Sequence, residues 1–237
     1  MLLYIIRHGE PIYDPDTLTP LGKKQAEALA KRLSVHGFDK IFTSPNGRAR
    51  ETAEPTCRAL GITPQVEPWT SEDLVWRDLS NSDGSGWSYL GDVRIMKSDE
   101  MTSQDAEWYD SPVFSKALAP KETYERIIEE SDRFLAKLGY VREGRVYRIE
   151  HENRERVALF CHQGFGVTWL SHLLGISPCL FWSSFDMTHT GVTVIHFENN
   201  ATGYTAPKCL VLSDTSHIYE SGLPMRYVGA NEEEVLL

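Results

Sequence analysis

Cysteine is scarce and scattered. Cys57, Cys161, Cys179 and Cys209 include no close pair, so they are expected as reduced, buried thiols and not as a disulfide framework. Cys161 precedes His162, but neighbours in a strand face opposite sides, so a Cys–His couple is not expected. The eight histidines show no metal-ligand spacing. His151-Glu152-Asn153-Arg154-Glu155 starts like a metalloprotease motif and lacks its second histidine, so neither metal nor cofactor is expected. Positive charge is also short: 24 Lys and Arg against 34 Asp and Glu leave a net charge of -10, which argues against nucleic acid or an anionic membrane as partner. No apolar run approaches membrane-spanning length. The opening apolar stretch has no basic leader, so a cytoplasmic location is expected. Repeats and low-complexity segments are absent, and 237 residues suffice for one large α/β domain.

What is present begins at the first residue. Met1-Leu2-Leu3-Tyr4-Ile5-Ile6 reads as a buried central strand that runs into Arg7-His8-Gly9-Glu10. Ligands of open α/β sheets sit beyond the carboxyl ends of the strands, which is where Arg7 and His8 fall. An imidazole beside a guanidinium suits attack on, and clamping of, an anionic phosphoryl group. A histidine that merely finishes a strand would read the same way.

Two further segments decide between these readings. Lys40–Ser44 reads as a strand and Ser44-Pro45-Asn46-Gly47-Arg48-Ala49 as a helix start, with Ser44 the N-cap and Pro45 the first helical residue. Arg48 then projects from a first turn whose free N–H groups already favour an anion. Val157–Cys161 is another buried strand, followed by His162-Gln163-Gly164 and a helix through Phe165, Trp169 and Leu173. Two strand-end histidines and a helix-start arginine are not what structure alone requires.

Between these segments strands and helices alternate. Thr19 and Pro20 start a helix that buries Ala26, Leu29, Ala30 and Leu33. The helix from Gly47 buries Ala49, Ala53, Cys57 and Leu60, with a kink expected at Pro55. Gln65-Val66-Glu67 reads as a short strand. From Thr70 to Ala119 periodicity is lost, and Trp76, Trp87, Tyr89, Trp108 and Tyr109 stand among Ser, Asp and Gly, most of them expected in a small core. Pro120 opens a helix with Tyr124, Ile127, Ile128, Ser131, Leu135 and Leu138 on one face. Tyr140–Glu155 reads as a charged hairpin turning at Gly144. The sheet resumes at Arg156–Cys161, Gly191–Glu198 and Ala206–Ser213, and the Glu232-Glu233-Glu234 tail is expected in solvent.

The chain resembles the histidine phosphatase superfamily, the phosphoglycerate-mutase-like group. The marks are Arg7-His8-Gly9 after the first strand, Ser44-x-x-x-Arg48-Ala49 at the second helix and His162-x-Gly164 after a late strand, all in the family's order. The likeness runs from Leu2 to about Ser213. Together with the alternation it implies an α/β fold, a three-layer α/β/α sandwich with a mostly parallel central sheet. Residues 1–237 would form one domain, with the irregular insertion 70–119 as a lid or cap over the site.

The resemblance also implies a phosphomonoester hydrolase that forms a phosphohistidine on His8, with a small-molecule phosphate ester as its partner. A second copy of the chain is the one macromolecular partner left open. Arg7, Arg48 and His162 would donate to the phosphoryl oxygens, with Gln163 a further phosphate-binding candidate. The departing alkoxide needs a proton, and the family's acid follows the third strand. Glu72 is the first choice there, ahead of Asp73 and then Asp78; each is otherwise a solvated loop carboxylate. Arg50 points elsewhere on its helix, Thr19 is explained by capping, and His189 and His217 are expected as hydrogen-bonded structural histidines. Asp214 and His217 are expected to fasten the tail. Pro11-Ile12-Tyr13-Asp14 replaces the family's Thr and its later Asn, and Gln163 replaces the commoner Gly after the second histidine. The mutase branch has Arg-His-Tyr-Gly after its acid, whereas Asp73-Leu74-Val75-Trp76-Arg77 stands here, so a phosphatase fits better. Mutase-type phosphoryl transfer and a non-catalytic phosphate-binding module are the alternatives.

Overall fold

The computed structural model describes residues 1–103 and 106–225; the acidic tail lies outside them. The chain opens with β1 (Leu2–Arg7), the short pair β2 (Pro11–Ile12) and β3 (Thr17–Leu18), α1 (Pro20–Leu33), β4 (Lys40–Thr43), α2 (Gly47–Leu60) and β5 (Gln65–Val66). Its middle holds α3 (Glu72–Leu79), α4 (Val93–Met96), α5 (Asp99–Thr102) and the long α6 (Pro120–Lys137). The hairpin β6 (Tyr140–Glu143) and β7 (Val146–Ile149) follows, then β8 (Arg156–Cys161), α7 (Gln163–Leu174) and α8 (Pro178–Trp182). Last come β9 (Val192–His196), β10 (Tyr204–Thr205), β11 (Lys208–Asp214) and α9 (Ser216–Glu220).

The main sheet has six strands in the order β11-β9-β1-β8-β4-β5. β1, β8, β4 and β5 are parallel, and β9 is antiparallel to both of its neighbours. Both faces of the central strands are buried, and alternate residues feed two cores. Leu3, Ile5, Phe42, Val157 and Leu159 join one core with Ile127 and Phe134 of α6 and Trp169 and Leu170 of α7. Ile6, Ile41, Ala158 and Phe160 face the other, with Leu29 and Leu33 of α1 and Ala53 and Cys57 of α2. The sheet is therefore the middle layer of an α/β/α sandwich. Leu3 and Ile5 are fully buried, and burial of such a side chain is worth about 1.5–3 kcal/mol, so β1 is firmly seated where it delivers Arg7 and His8.

Several local expectations need correction. Ser44 does not cap α2: the helix starts at Gly47 with Asn46 at the cap, and the Ser44 hydroxyl serves another purpose described below. α2 continues through Pro55 as one 14-residue helix, and Leu60 is only partly buried against its core. The segment after Thr70 is less irregular than its sequence. It starts with the eight-residue α3, whose Val75, Asp78 and Leu79 are buried against α6 and α7. Tyr89 and Trp108 join the core with Trp87 and Tyr109 packed on it, while Trp76 stays exposed. Cys209 is exposed on the edge strand β11, unlike the other three thiols. The hairpin turns at Gly144, and β10 adds to it as a third strand. Among the described residues, no helix is long and apolar enough to cross a membrane.

Candidate active site

A cavity of about 530 Å³ opens where β1, β8 and β4 end, lined by Arg7, His8, Arg48, Glu72 and Gln163 among others. His8 is buried, its backbone N–H bound to the carbonyl of Cys161. Its Nδ1 lies 2.7 Å from the carbonyl oxygen of Gly9. A carbonyl only accepts, so Nδ1 carries the proton and Nε2 keeps its lone pair. Burial holds His8 well below the usual histidine range, with His162 and Arg7 adding to the effect against the Gly9 bond. The glycine after it is required, because a Cβ on Gly9 would stand 2.8 Å from the carbonyl oxygen of Gly22.

The cations come from separate elements. Arg7 ends β1, donating from Nη1 to the Met187 carbonyl at 2.6 Å and from Nη2 to Nε2 of His189 at 3.0 Å. Arg48 sits in the first turn of α2 and donates from Nη1 to Asp16 Oδ1 at 2.8 Å. The buried Nε atoms of both arginines have no hydrogen-bond partner among the described residues. Such unsatisfied donors are costly unless an acceptor binds there.

His162 does not line the cavity, but its ring centroid is 5.2 Å from that of His8. Its Nε2 is held by Ser44 Oγ at 2.7 Å, and its Nδ1 has no partner among the described residues. Burial, then Arg48 and Arg7, depress it well below the usual range. Gln163, the first residue of α7, lines the cavity and donates to Asp186 Oδ1 at 3.0 Å.

Of the three candidate acids, Glu72 and Asp73 line the cavity and Asp78 does not. Asp78 is buried and bound by Arg77, Arg126 and Thr123, a structural arrangement that removes it from consideration. Asp73 is exposed at the rim and accepts from Asn46 Nδ2 at 2.9 Å. Glu72 opens α3 and receives the N–H groups of Gly164 and Phe165, both at 2.8 Å, at the N-terminus of α7. Burial raises its carboxyl above the usual range, against the pull of those amides and of Arg48 and Arg7. Gly164 has no room for a side chain, since a Cβ would meet the Trp87 ring at 2.7 Å and Glu72 Oε1 at 3.0 Å.

Four contributors were not singled out from sequence as part of this site. Asp16 pairs with Arg48 and also accepts the Gly47 N–H at 2.6 Å. Burial is the largest single influence and raises its carboxyl, but the Arg48 bond and charge and the Gly47 and Arg48 N–H groups together hold Asp16 below the usual range. Tyr13 lines the cavity, with the Arg48 guanidinium carbon 5.4 Å from its ring. Ser44 positions His162. His189 was expected as structural; it is hydrogen-bonded, but to Arg7, and its ring lies 5.7 Å from His8. His217, by contrast, sits away from the site against Thr190 and Arg32, with Arg32 also bound to Asp214. Arg50 is exposed, and Thr19 caps α1 through the Gly22 N–H.

The buried imidazoles make stability pH-dependent. His8 and His162 are held well below 6.5, His189 at about 2 and His217 at about 4, each chiefly by burial. The unfolded chain therefore takes up protons near pH 6.5 while the folded chain does not. Stability is full above that pH and falls below it, by about 1.4 kcal/mol per pH unit for each such histidine. His172 is depressed by burial as well, and the raised Glu72, which works in the opposite sense, is one group against five. The urea midpoint should drop between pH 7.5 and pH 5.5; an unchanged midpoint would show that these imidazoles are not buried neutral.

The family model described as histidine phosphatase superfamily (branch 1) matches residues 3–81 and 88–207. The chain belongs to that superfamily. Among curated relatives, a PE-PGRS family protein of Mycobacterium tuberculosis is 38% identical over 76 residues, covering 31% of this chain and 13% of its own. The probable phosphoglycerate mutase GpmB of Yersinia pestis is 31% identical over 75 residues, covering 28% of this chain and 35% of its own. The chain thus spans about a third or less of the length of these relatives. A phosphoserine phosphatase from Entamoeba histolytica, solved with 3-phosphoglyceric acid, superposes with a TM-score of 0.61 at 19% identity, covering 92% of this chain and 98% of its own. A mycobacterial glucosyl-3-phosphoglycerate phosphatase with inorganic phosphate gives 0.63 at 17% identity, covering 91% and 98%. At these identities the likeness is one of fold.

Proposed function

We propose that the chain is a phosphomonoester hydrolase that works through a phosphohistidine on His8. The observation that carries this reading is the fixed tautomer of His8, whose Nδ1–H is committed to Gly9 so that a bare Nε2 remains in a cavity with two arginines. In the reaction, His8 Nε2 attacks phosphorus and the bond to the leaving oxygen breaks. Arg7 and Arg48 stabilise the charge on the remaining oxygens, and His162, held by Ser44 with its ring 5.2 Å from His8, backs the site from behind the cavity wall. Protonated Glu72 gives its proton to the departing alkoxide. As a carboxylate it then takes a proton from water, which attacks the phosphohistidine and releases phosphate and the free imidazole. The raised carboxyl of Glu72 and the depressed imidazole of His8 together favour the pair that the first step needs, an acid beside a neutral base. Gln163 completes the phosphate-binding set, and the 70–119 insertion acts as the cap that closes the alcohol side.

Metal independence is part of the proposal, because Arg7 and Arg48 supply the positive charge and the donors that a transferring phosphoryl group needs. A panel of phosphomonoesters assayed with and without EDTA tests it. Hydrolysis should survive the chelator and gain nothing from magnesium. A strict divalent-ion requirement would replace this mechanism with a metal-assisted one.

A further inference from the structure

The alcohol side of the cavity is aromatic and acidic. Helix α3 starts at Glu72, so Trp76 lies on the same face, just over one turn or about 6 Å farther along. It therefore borders the space next to the proton donor, where the leaving alcohol must sit. Trp76 lines the cavity and is 44% exposed, so part of its side chain is open to a ligand. The rings of Trp76 and Trp87 pack T-shaped with centroids 4.6 Å apart. Behind Trp87 stand Tyr89 and Trp182, each stacked on the ring before it at 5.1 Å, and Gly164 presses on Trp87 from the side. This column holds the wall rigid from the core outward. Tyr13, 70% exposed, also lines the cavity, next to Arg48.

Charge narrows the choice further. Asp16 and Asp73 line the cavity together with Glu72, while Arg7 and Arg48 are its only cationic side chains among the described residues. Arg48 is already paired with Asp16. Among the described residues, no further lysine or arginine lines the cavity to receive a second anionic group on the substrate. Resting on the phosphomonoesterase reading, we propose that the alcohol released here carries a flat aromatic ring and no negative charge of its own, as in a nucleoside, and that Trp76 selects it by stacking. The cavity is large enough, since pockets of about 300–1,000 Å³ hold ligands of that size.

Two matched pairs of substrates test this. Adenosine 5′-monophosphate and ribose 5-phosphate share the same phosphorylated primary alcohol and differ in the ring. Glycerol 3-phosphate and 3-phosphoglycerate differ by one carboxylate. Stacking of a base on an aromatic side chain is worth roughly 5- to 150-fold, so kcat/KM for the nucleotide should exceed that for ribose 5-phosphate by about tenfold or more. Trp76→Ala should collapse that ratio, mainly through KM, and Trp76→Phe should restore most of it. Glycerol 3-phosphate should be preferred to 3-phosphoglycerate. Equal kcat/KM for nucleotide and ribose phosphate, or a preference that survives Trp76→Ala, would overturn the proposal. The underlying phosphatase reading is checked separately: turnover of ribose 5-phosphate and glycerol 3-phosphate must vanish in His8→Ala. No turnover of any of the four esters would overturn both.

Discussion

Replacing His8 with alanine should lower turnover of every phosphomonoester by roughly 10⁴-fold or more, the scale seen when a covalent nucleophile is removed. The reason is local. Nε2 is the one atom of His8 with an uncommitted lone pair, and no other imidazole can take its place. His162 is tied to Ser44 and lies off the cavity wall, and the available nitrogen of His189 accepts from Arg7. The fold should tolerate the change, so His8→Ala should still bind inorganic phosphate through Arg7 and Arg48, which separates loss of chemistry from loss of structure. Rapid quenching of the wild-type enzyme with labelled substrate should trap a phosphoenzyme that is acid-labile and base-stable, as a phosphoramidate is. Label on any other residue, or more than about 1% residual activity in His8→Ala, would refute the mechanism.

The parts of this site that could be read from sequence are those that local chemistry places. Arg7 and His8 follow an apolar run that has to be a central strand, and Arg48 follows a strand and a turn within a few residues. Glu72 stands in a short acidic stretch after the third strand, and the geometry of α3 alone sets Asp78 apart from Glu72 and Asp73. Glu72 and Asp73 lie at its open end, whereas Asp78, one and a half turns on, faces α6. The residues that were missed owe their roles to distant partners. Asp16 reaches Arg48 across 32 positions of chain, and Ser44 reaches His162 across 118. Nothing in a Ser-Pro dipeptide distinguishes a hydroxyl that caps a helix from one that holds a histidine. Strand direction is similar: an apolar run marks β9 as buried, but only the sheet decides that it runs against β1. Cys209 is exposed because β11 is an edge strand, a property of sheet order and not of the Cys-Leu-Val-Leu run.

The second large effect separates proton donation from charge stabilisation. Arg48→Ala removes charge from the phosphoryl group itself, so it should lower the rate for every substrate alike. Glu72→Gln keeps the shape of the side chain but has no proton to give. An alkyl phosphate, whose alkoxide is strongly basic, should then lose about 10²- to 10⁴-fold in kcat/KM, the usual contribution of a positioned general acid. p-Nitrophenyl phosphate needs little protonation of its leaving group and should lose far less in the phosphorylation step. The same variant lacks the base that activates water, so dephosphorylation of His8 becomes rate-limiting and p-nitrophenol should appear in a burst matching the enzyme concentration. The pH dependence follows from the raised carboxyl of the wild-type enzyme. Alkyl phosphate hydrolysis should fall as Glu72 ionises above the ordinary carboxylate range, and Glu72→Gln should lack that basic limb. Asp73→Asn should show neither behaviour, because its carboxylate sits at the rim on Asn46. Equal losses on both substrates without a burst would exclude Glu72, and a burst in Asp73→Asn would transfer the role to its neighbour.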